Sequence, residues 1–208
     1  VALYKLPLSA DEVQELYLSA SAALHLKLDD APGSQSFENA VDVSLQSNAF
    51  CTGAACPTAG VSGRMNQAAL FDGTRDILSS TLVLDESATS PGAPLMGWVK
   101  PSSTSTGRHD VFSTDAGGNQ LSVVCDGSAW KIANGQSLID TGATVDANQW
   151  QHIAAVFKRG TGVKFYKNGT LISTLTPLAA ATTNAPLSIG GKWNSNYFAG
   201  AIDDVRIF

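Results

Sequence analysis

WQHIAAVFKRGTGVKFYKNGTLIST, running from Trp150 to Thr174, decides the fold. Ile153, Ala155 and Phe157 alternate with Ala154, Val156 and Lys158, the period-two pattern of a strand with one buried face. Val163, Phe165 and Lys167 alternate in the same way with Lys164 and Tyr166. Arg159-Gly160-Thr161-Gly162 separates these two runs. Asn168-Gly169 separates the second run from Leu171-Ile172-Ser173. Asn-Gly is the strongest short hairpin signal, because a type I′ turn needs positive φ at both central residues. The stretch therefore predicts a three-stranded antiparallel meander.

The composition agrees with an all-β chain. At 208 residues it suits a single sandwich or barrel domain. Hydrophobic residues make up 44%, enough for a core, and charged residues only 15%. Gly, Ser, Thr and Asn are abundant, which suits an extracellular protein with many turns. The net charge of −5 argues against a nucleic-acid partner, which needs a basic footprint. No apolar run is long enough to insert across a membrane. Cys51 and Cys56 flank Thr-Gly-Ala-Ala, a loop short enough to close as a disulfide in a secreted chain. Cys125 lies in an apolar run and reads as a buried free thiol. No second Cys/His pair stands at zinc spacing.

Upstream, Ser9 and Glu12 form a capping box, with Leu8 and Val13 as a hydrophobic staple. Val13, Leu16, Tyr17 and Ala20 make one apolar face. The pattern predicts a short helix over 10–19. Leu24 to Leu28 alternates as a strand ending in Asp29-Asp30. Residues 46–63 read as a loop rich in Gly, Ala, Ser and Cys. Ala68–Phe71, Ile77–Leu84, Leu95–Val99, Val111–Ser113, Leu121–Cys125, Ala129–Ile132 and Ser137–Ile139 read as further strands. Leu187 to Gly190 begins another, and Gly200 to Phe208 closes the chain.

Four segments carry a family resemblance. Trp150-Gln151-His152-Ile153-Ala154 with Val163 to Gly169 resembles the "W-x-H-V-A … V-x-L-Y-V-N-G" core of laminin-G-like, concanavalin A-like jelly-roll domains. Leu95 to Pro101 resembles the "a-x-W-V-K-P" strand. Ala69 to Gly73 resembles "A-L-x-F-D-G", and Gly200 to Phe208 resembles the closing "G-x-I-D-D-V-R-I-Y". They follow the family's order over residues 22–208. The resemblance implies a concanavalin A-like β-sandwich jelly roll, here with a short N-terminal helix. In that family an "L-S-x-x-E-I-x-x-L-Y" element commonly follows the closing strand, whereas here it precedes the domain. Residues 1–21 are therefore expected to be the tail of a preceding repeat or a linker. Neighbouring repeats of the same polypeptide become candidate partners. Val205–Phe208 is expected to be paired centrally and buried, and Val1–Tyr4 to lie at an edge or outside.

For chemistry, glycoside hydrolases of this fold resemble "E-x-D-x-x-E" on a central strand, which sets two carboxylates on one face. This chain has four glutamates, Glu12, Glu15, Glu38 and Glu86, two on the expected helix and two in expected loops. Gly60-Val61-Ser62-Gly63 is not a nucleophile elbow. His152 reads as structural. Ser113 to Gly117 partly matches a sialidase hairpin but lacks its Thr-Trp. Asn168-Gly169-Thr170 is a formal glycosylation sequon that the turn already explains. No enzyme activity is expected.

The resemblance also implies one structural calcium, with Asp29, Asp30, Asp203 and Asp204 as its ligands, since the closing strand pairs near the first. Ca²⁺ takes oxygen ligands, and solvated acids at strand ends are the competing explanation. Sugar recognition combines aromatic faces with a few amide or acid groups. Trp193, Asn194, Asn196 and Tyr197 offer this on one loop, and Trp130 with Asp126 on another. Core burial is the alternative for Trp98, Trp130 and Trp150. The expected function is a non-catalytic binding module for carbohydrate, secreted or at a cell surface. A protein-binding or spacer repeat is the alternative, with a cell-surface protein as its partner.

Overall fold

A computed structural model describes residues 22–41, 48–83, 93–114, 121–135, 137–158, 162–175, 186–192 and 195–208. The expected helix over 10–19 and the segment Val1–Tyr4 lie outside them. The first half holds β1 (Leu24–Leu26), β2 (Ser36–Phe37), β3 (Ala49–Phe50), β4 (Thr58–Ser62), β5 (Gln67–Asp72), β6 (Leu78–Val83) and β7 (Ala93–Pro101). Then come β8 (His109–Thr114), β9 (Leu121–Asp126), β10 (Ala129–Asn134) and β11 (Ser137–Thr144). The chain ends with β12 (Gln151–Lys158), β13 (Gly162–Lys167), β14 (Thr170–Leu175), β15 (Pro186–Ile189) and β16 (Ala199–Ile207).

These strands make a jelly-roll sandwich of two antiparallel sheets. One runs β14-β13-β12-β7-β16-β5-β4, with β1 also paired to β16. The other runs β11-β10-β9-β8-β15-β6-β3-β2. The meander read from Trp150 onward is β12–β14, with Ile153 opposite Lys167 and Lys167 opposite Thr170. Asn168 (φ 50°) and Gly169 (φ 78°) both take the left-handed conformation of a type I′ turn. The closing strand β16 lies between β7 and β5, with Val205 and Ile207 buried. Leu24 faces Ile207 across the β1–β16 pair.

Inward side chains of both sheets form one core, whose largest members include Phe37, Phe71, Phe112, Phe165 and Phe198. Gly97 turns toward it from β7, and a Cβ there would stand 3.0 Å from the Phe112 ring. That glycine lets the two sheets close. Trp130, a sequence candidate for sugar contact, belongs to this core instead. It is fully buried, and its indole Nε1 donates to Gln151 Oε1 at 3.1 Å. A buried indole must satisfy its N–H internally, and Gln151 does so. The ring has no face left for a ligand.

The expected loop over 46–63 is partly ordered as strand. Thr58–Ser62 is β4, the edge of the first sheet, paired with β5. Gly60 (φ 80°) stands at its register shift, and Pro32 Cγ lies 2.8 Å from where a Cβ would be. Such a bulged edge strand lacks the alternation that marks a strand in sequence. Beside it, a disulfide joins Cys51 to Cys56 across a short 3₁₀ turn, Gly53–Ala55, with Cα atoms 5.0 Å apart. Cys125 is a free, buried thiol; burial, with the nearby Asp126 carboxylate, pushes its pKa up to about 12, so it is no nucleophile at neutral pH.

Candidate functional site

Two places on the sandwich gather the sequence-derived candidates. The first is a rim at one end, built by the β7–β8 connection, the β9–β10 turn and residues 190–192 and 195–198. Asp126 ends β9. Its Oδ1 accepts from the Gly107 amide at 2.9 Å and its Oδ2 pairs with Lys131 Nζ at 2.8 Å. The Lys131 ammonium, then the Gly107 amide, hold this carboxyl below the usual carboxylate range. Gly127 donates to the Ser105 carbonyl at 3.0 Å, tying the two loops together.

The Ser195–Phe198 segment is pinned to β8. The Asp110 amide donates to the Asn196 carbonyl at 2.8 Å. His109 Nδ1 lies 2.9 Å from the Tyr197 carbonyl, which can only accept, so this nitrogen carries the proton. His109 Nε2 then faces Ser105 Oγ at 3.4 Å. Phe198 is buried beneath and its amide donates to Gly190 at 2.9 Å. Gly191 leaves room for the Tyr197 ring, whose Cδ1 would lie 3.1 Å from a Cβ there. Asn196 and Tyr197 remain half-exposed. The fold thus brings Asp126, Asn196 and Tyr197 to one end, through Ser105 and His109, which sequence reasoning did not single out. Trp193 and Asn194 lie outside the described residues.

The second place is a cleft of about 160 Å³ on the outside of the first sheet, whose walls include Asp29, Asp203 and Asp204 with His25, Asn66 and Arg206. The four expected ligands do not share one role. Asp204 (φ 51°) is committed: its Oδ1 lies 2.7 Å from His25 Nε2 and accepts from Arg206. Burial pushes its pKa up, but His25 and Arg206 outweigh this and hold it below the usual range. Asp30 turns toward the Glu38 amide at 3.5 Å, not into the cleft. Asp29 Oδ1 accepts from the Gln67 amide at 2.8 Å.

Asp203 is different. Its side chain is almost wholly buried, Oδ2 accepts from the amides of Arg64 and Met65 at 2.8 Å each, and Oδ1 has no partner. Burial drives its pKa up to about 6, against the two amides. Nearby, the Gln67 carboxamide lies 3.2 Å from the Asp29 carbonyl and 3.3 Å from that of Asp30. With its nitrogen toward them it donates to both. Among the described residues no three His, Cys, Asp or Glu side chains assemble as a metal site. What speaks for a Ca²⁺ here is the unpartnered Asp203 Oδ1 in a cleft that Asp29 also lines, so two of the four expected carboxylates fit the ion and not all four.

Comparison with known proteins places the fold. A family model described as the concanavalin A-like lectin/glucanases superfamily matches residues 85–208. Among curated proteins, none matches the sequence. Domain 4 of AbnA, an extracellular arabinanase from Geobacillus stearothermophilus, solved with arabinotriose, superposes with a TM-score of 0.64 at 23% identity, covering 89% of this chain and 91% of that one. The botulinum neurotoxin serotype D ligand-binding domain, solved with N-acetylneuraminic acid, gives 0.65 at 13% identity, covering 93% of this chain and 48% of that one. The Trypanosoma rangeli sialidase, solved with sialic acid, gives 0.66 at 13%, covering 91% and 31% respectively.

Proposed function

This chain belongs to the concanavalin A-like lectin/glucanase superfamily, and we propose that it works as a non-catalytic glycan-binding module of an extracellular protein. The observation that carries this reading is the pinned Ser195–Phe198 loop. It holds half-exposed Tyr197 and Asn196 on the end of the sandwich that also carries the Asp126–Lys131 pair, an aromatic side chain and fixed polar groups on one rim. Preorganisation lowers the ordering cost of binding. Similar folds have been solved with arabinotriose and with sialic acid, which supports a sugar as ligand. No helix among the described residues is long and apolar enough to cross a membrane. A glycan array followed by titration calorimetry tests the reading: Tyr197→Ala should abolish binding to any neutral glycan found while leaving the melting temperature nearly unchanged.

A structural Ca²⁺ belongs to the same proposal. Asp203 Oδ1 and Asp29, with the Asn66 carboxamide on the same cleft wall, would hold it, and it would supply the positive charge that lets Asp203 remain ionised. It would also tie β1, the β4–β5 hairpin and β16 together. The second reading, a protein-binding or spacer repeat, is favoured by β14. There Leu171 (48% exposed) and Ile172 (39%) stand on the edge strand of the first sheet, where an unpaired edge can recruit another chain. Silence across a broad glycan array would favour it.

A further inference from the structure

The outward side of the first sheet is not the polar surface that an antiparallel sheet ordinarily gives to water. Its register sets Leu171, Tyr166, Ala154, Met96, Arg206 and His25 in one row across β14, β13, β12, β7, β16 and β1. The next row holds His152, Trp98 and Asp203, and a third holds Lys164, Val156 and Pro94. Their neighbours Phe165, Ala155, Leu95 and Val205 belong to the core, so these rows point away from it. Met96, Trp98, Val156 and Tyr166 are half-buried. At about 4.8 Å between strands and 3.4 Å per residue, these rows from β14 to β16 cover roughly 19 by 14 Å. They mix half-buried apolar side chains with charged ones, the composition of a binding surface more than of a solvated one.

The charge on this face runs against that of the whole chain. The acids Asp203 and Asp204 are buried or paired, as described above. Arg64, Lys100 and Lys164 have no ion-pair partner among the described residues. The Arg64 guanidinium carbon lies over the Trp98 ring, 4.8 Å from its centroid, and His152 meets the same ring edge-on at 5.2 Å. A guanidinium braced over an aromatic ring can still direct N–H groups to a carboxylate in a bidentate contact.

We propose that this face is a second glycan site, distinct from the rim, and that it takes a linear carboxylated glycan, a polyuronate. The apolar face of a sugar ring would lie on Tyr166, with Trp98 bracing Arg64 beside it. Arg64, Lys100 and Lys164 would meet carboxylates spaced along the chain. Three cations set among apolar residues match a polymer with one carboxylate per sugar better than a densely sulfated one. The open, flat shape suits a chain lying across the strands, whereas the rim suits a sugar end.

The test uses the full chain and three probes at low salt: polygalacturonate, its methyl ester and dextran sulfate. Polygalacturonate should bind, and methyl esterification should weaken it by about tenfold or more, the scale of one lost charge-assisted contact. Trp98→Ala and Arg64→Glu should each weaken it by a similar factor, with Arg64→Lys intermediate. Because Trp98→Ala also removes packing, Lys100→Glu with Lys164→Glu provides a purely surface variant that should show the same loss. Dextran sulfate binding as tightly, without dependence on Trp98, would mean a non-specific polyanion surface and overturn the assignment. Binding sensitive to esterification but not to these variants would move the charge recognition to the rim and overturn it too. A neutral glycan bound at the rim with no polyuronate bound would overturn this inference alone. Capture of an acidic protein by this face in place of polygalacturonate would do so as well.

Discussion

His109 and Tyr197, 88 residues apart in the chain, are joined by one hydrogen bond: the imidazole Nδ1–H donates to the Tyr197 carbonyl at 2.9 Å. The bond fixes the ring tautomer and the height of the loop that carries Tyr197. Replacing His109 with Phe keeps the ring and removes the donor. A single neutral hydrogen bond contributes about 1 kcal/mol, so folding stability should fall by that order. Affinity for a rim-bound glycan should fall several-fold, because Tyr197 loses its fixed position. Unchanged affinity in calorimetry would show that Asp110 and Phe198 suffice to hold the loop.

Trp130 and Tyr197 should separate cleanly under mutation. Trp130→Ala removes a fully buried indole and one of the two donors to the Gln151 oxygen, the Asp146 amide being the other, at a cost of about 3–5 kcal/mol by the scale of large core truncations. Chemical denaturation should show this directly. A loss under 1 kcal/mol would mean that the ring is not the core element described above.

Asp203 predicts a pH dependence whose sign can be worked out. Its folded pKa, about 6, lies above the unfolded value of 3.8, so the native state binds more protons between them. Stability should fall as pH rises through that window, by at most about 3 kcal/mol, and stay low above it. His152 pulls the other way. Burial first, and Arg206, lower its pKa from 6.5 despite Asp204, so protonation below that value is unfavourable to the fold. In EDTA, Asp203→Asn should raise the melting temperature at pH 7.5, since the amide oxygen can still accept from Arg64 and Met65. Added CaCl₂ should raise the melting temperature of the unsubstituted chain and not of this variant. Equal response by both would remove Asp203 from any calcium site.

Cys51 and Cys56 close a loop of only a few residues. Chain-entropy reasoning gives about 2 kcal/mol for so short a loop. Cys51→Ser with Cys56→Ser should lower stability by that order and leave glycan binding at the rim unaltered. A collapse of the fold would show that β3, β4 and the 3₁₀ turn depend on the bridge.

The legible parts of the fold were those with local signals. Asn168-Gly169 announced its turn because only such residues tolerate positive φ in succession, and the alternation around it told which face was inward. Thr58–Ser62 hid because this bulged edge strand buries only Ala59, so no alternation shows, and it carries a glycine at its kink. At the rim, Tyr197 and Asn196 were visible as an aromatic beside amides. His109 and Ser105 were not, because their role comes from strand order, which places β15 beside β8. Asp29 and Asp203 could be brought together from the β1–β16 pairing. Gln67 and the orphaned Asp203 oxygen could not, since neither shows in spacing. The apolar outward face was written in Met96, Trp98, Ala154, Val156 and Tyr166 all along. It stayed unreadable until the register showed that these residues stand side by side.

The pairing of β1 with β16 has a mechanical consequence. Leu24 lies opposite Ile207, and Ala23 donates to the Ile207 carbonyl at 2.7 Å, so the two outermost strands run antiparallel with their outer ends together. A pull applied between residues 22 and 208 would load these hydrogen bonds one at a time, as in opening a zip, and not all at once in shear. β1 has only three residues. In a longer polypeptide under tension, this domain would therefore let go of β1 at low force and uncover the Asp203 cleft before the sandwich itself gave way.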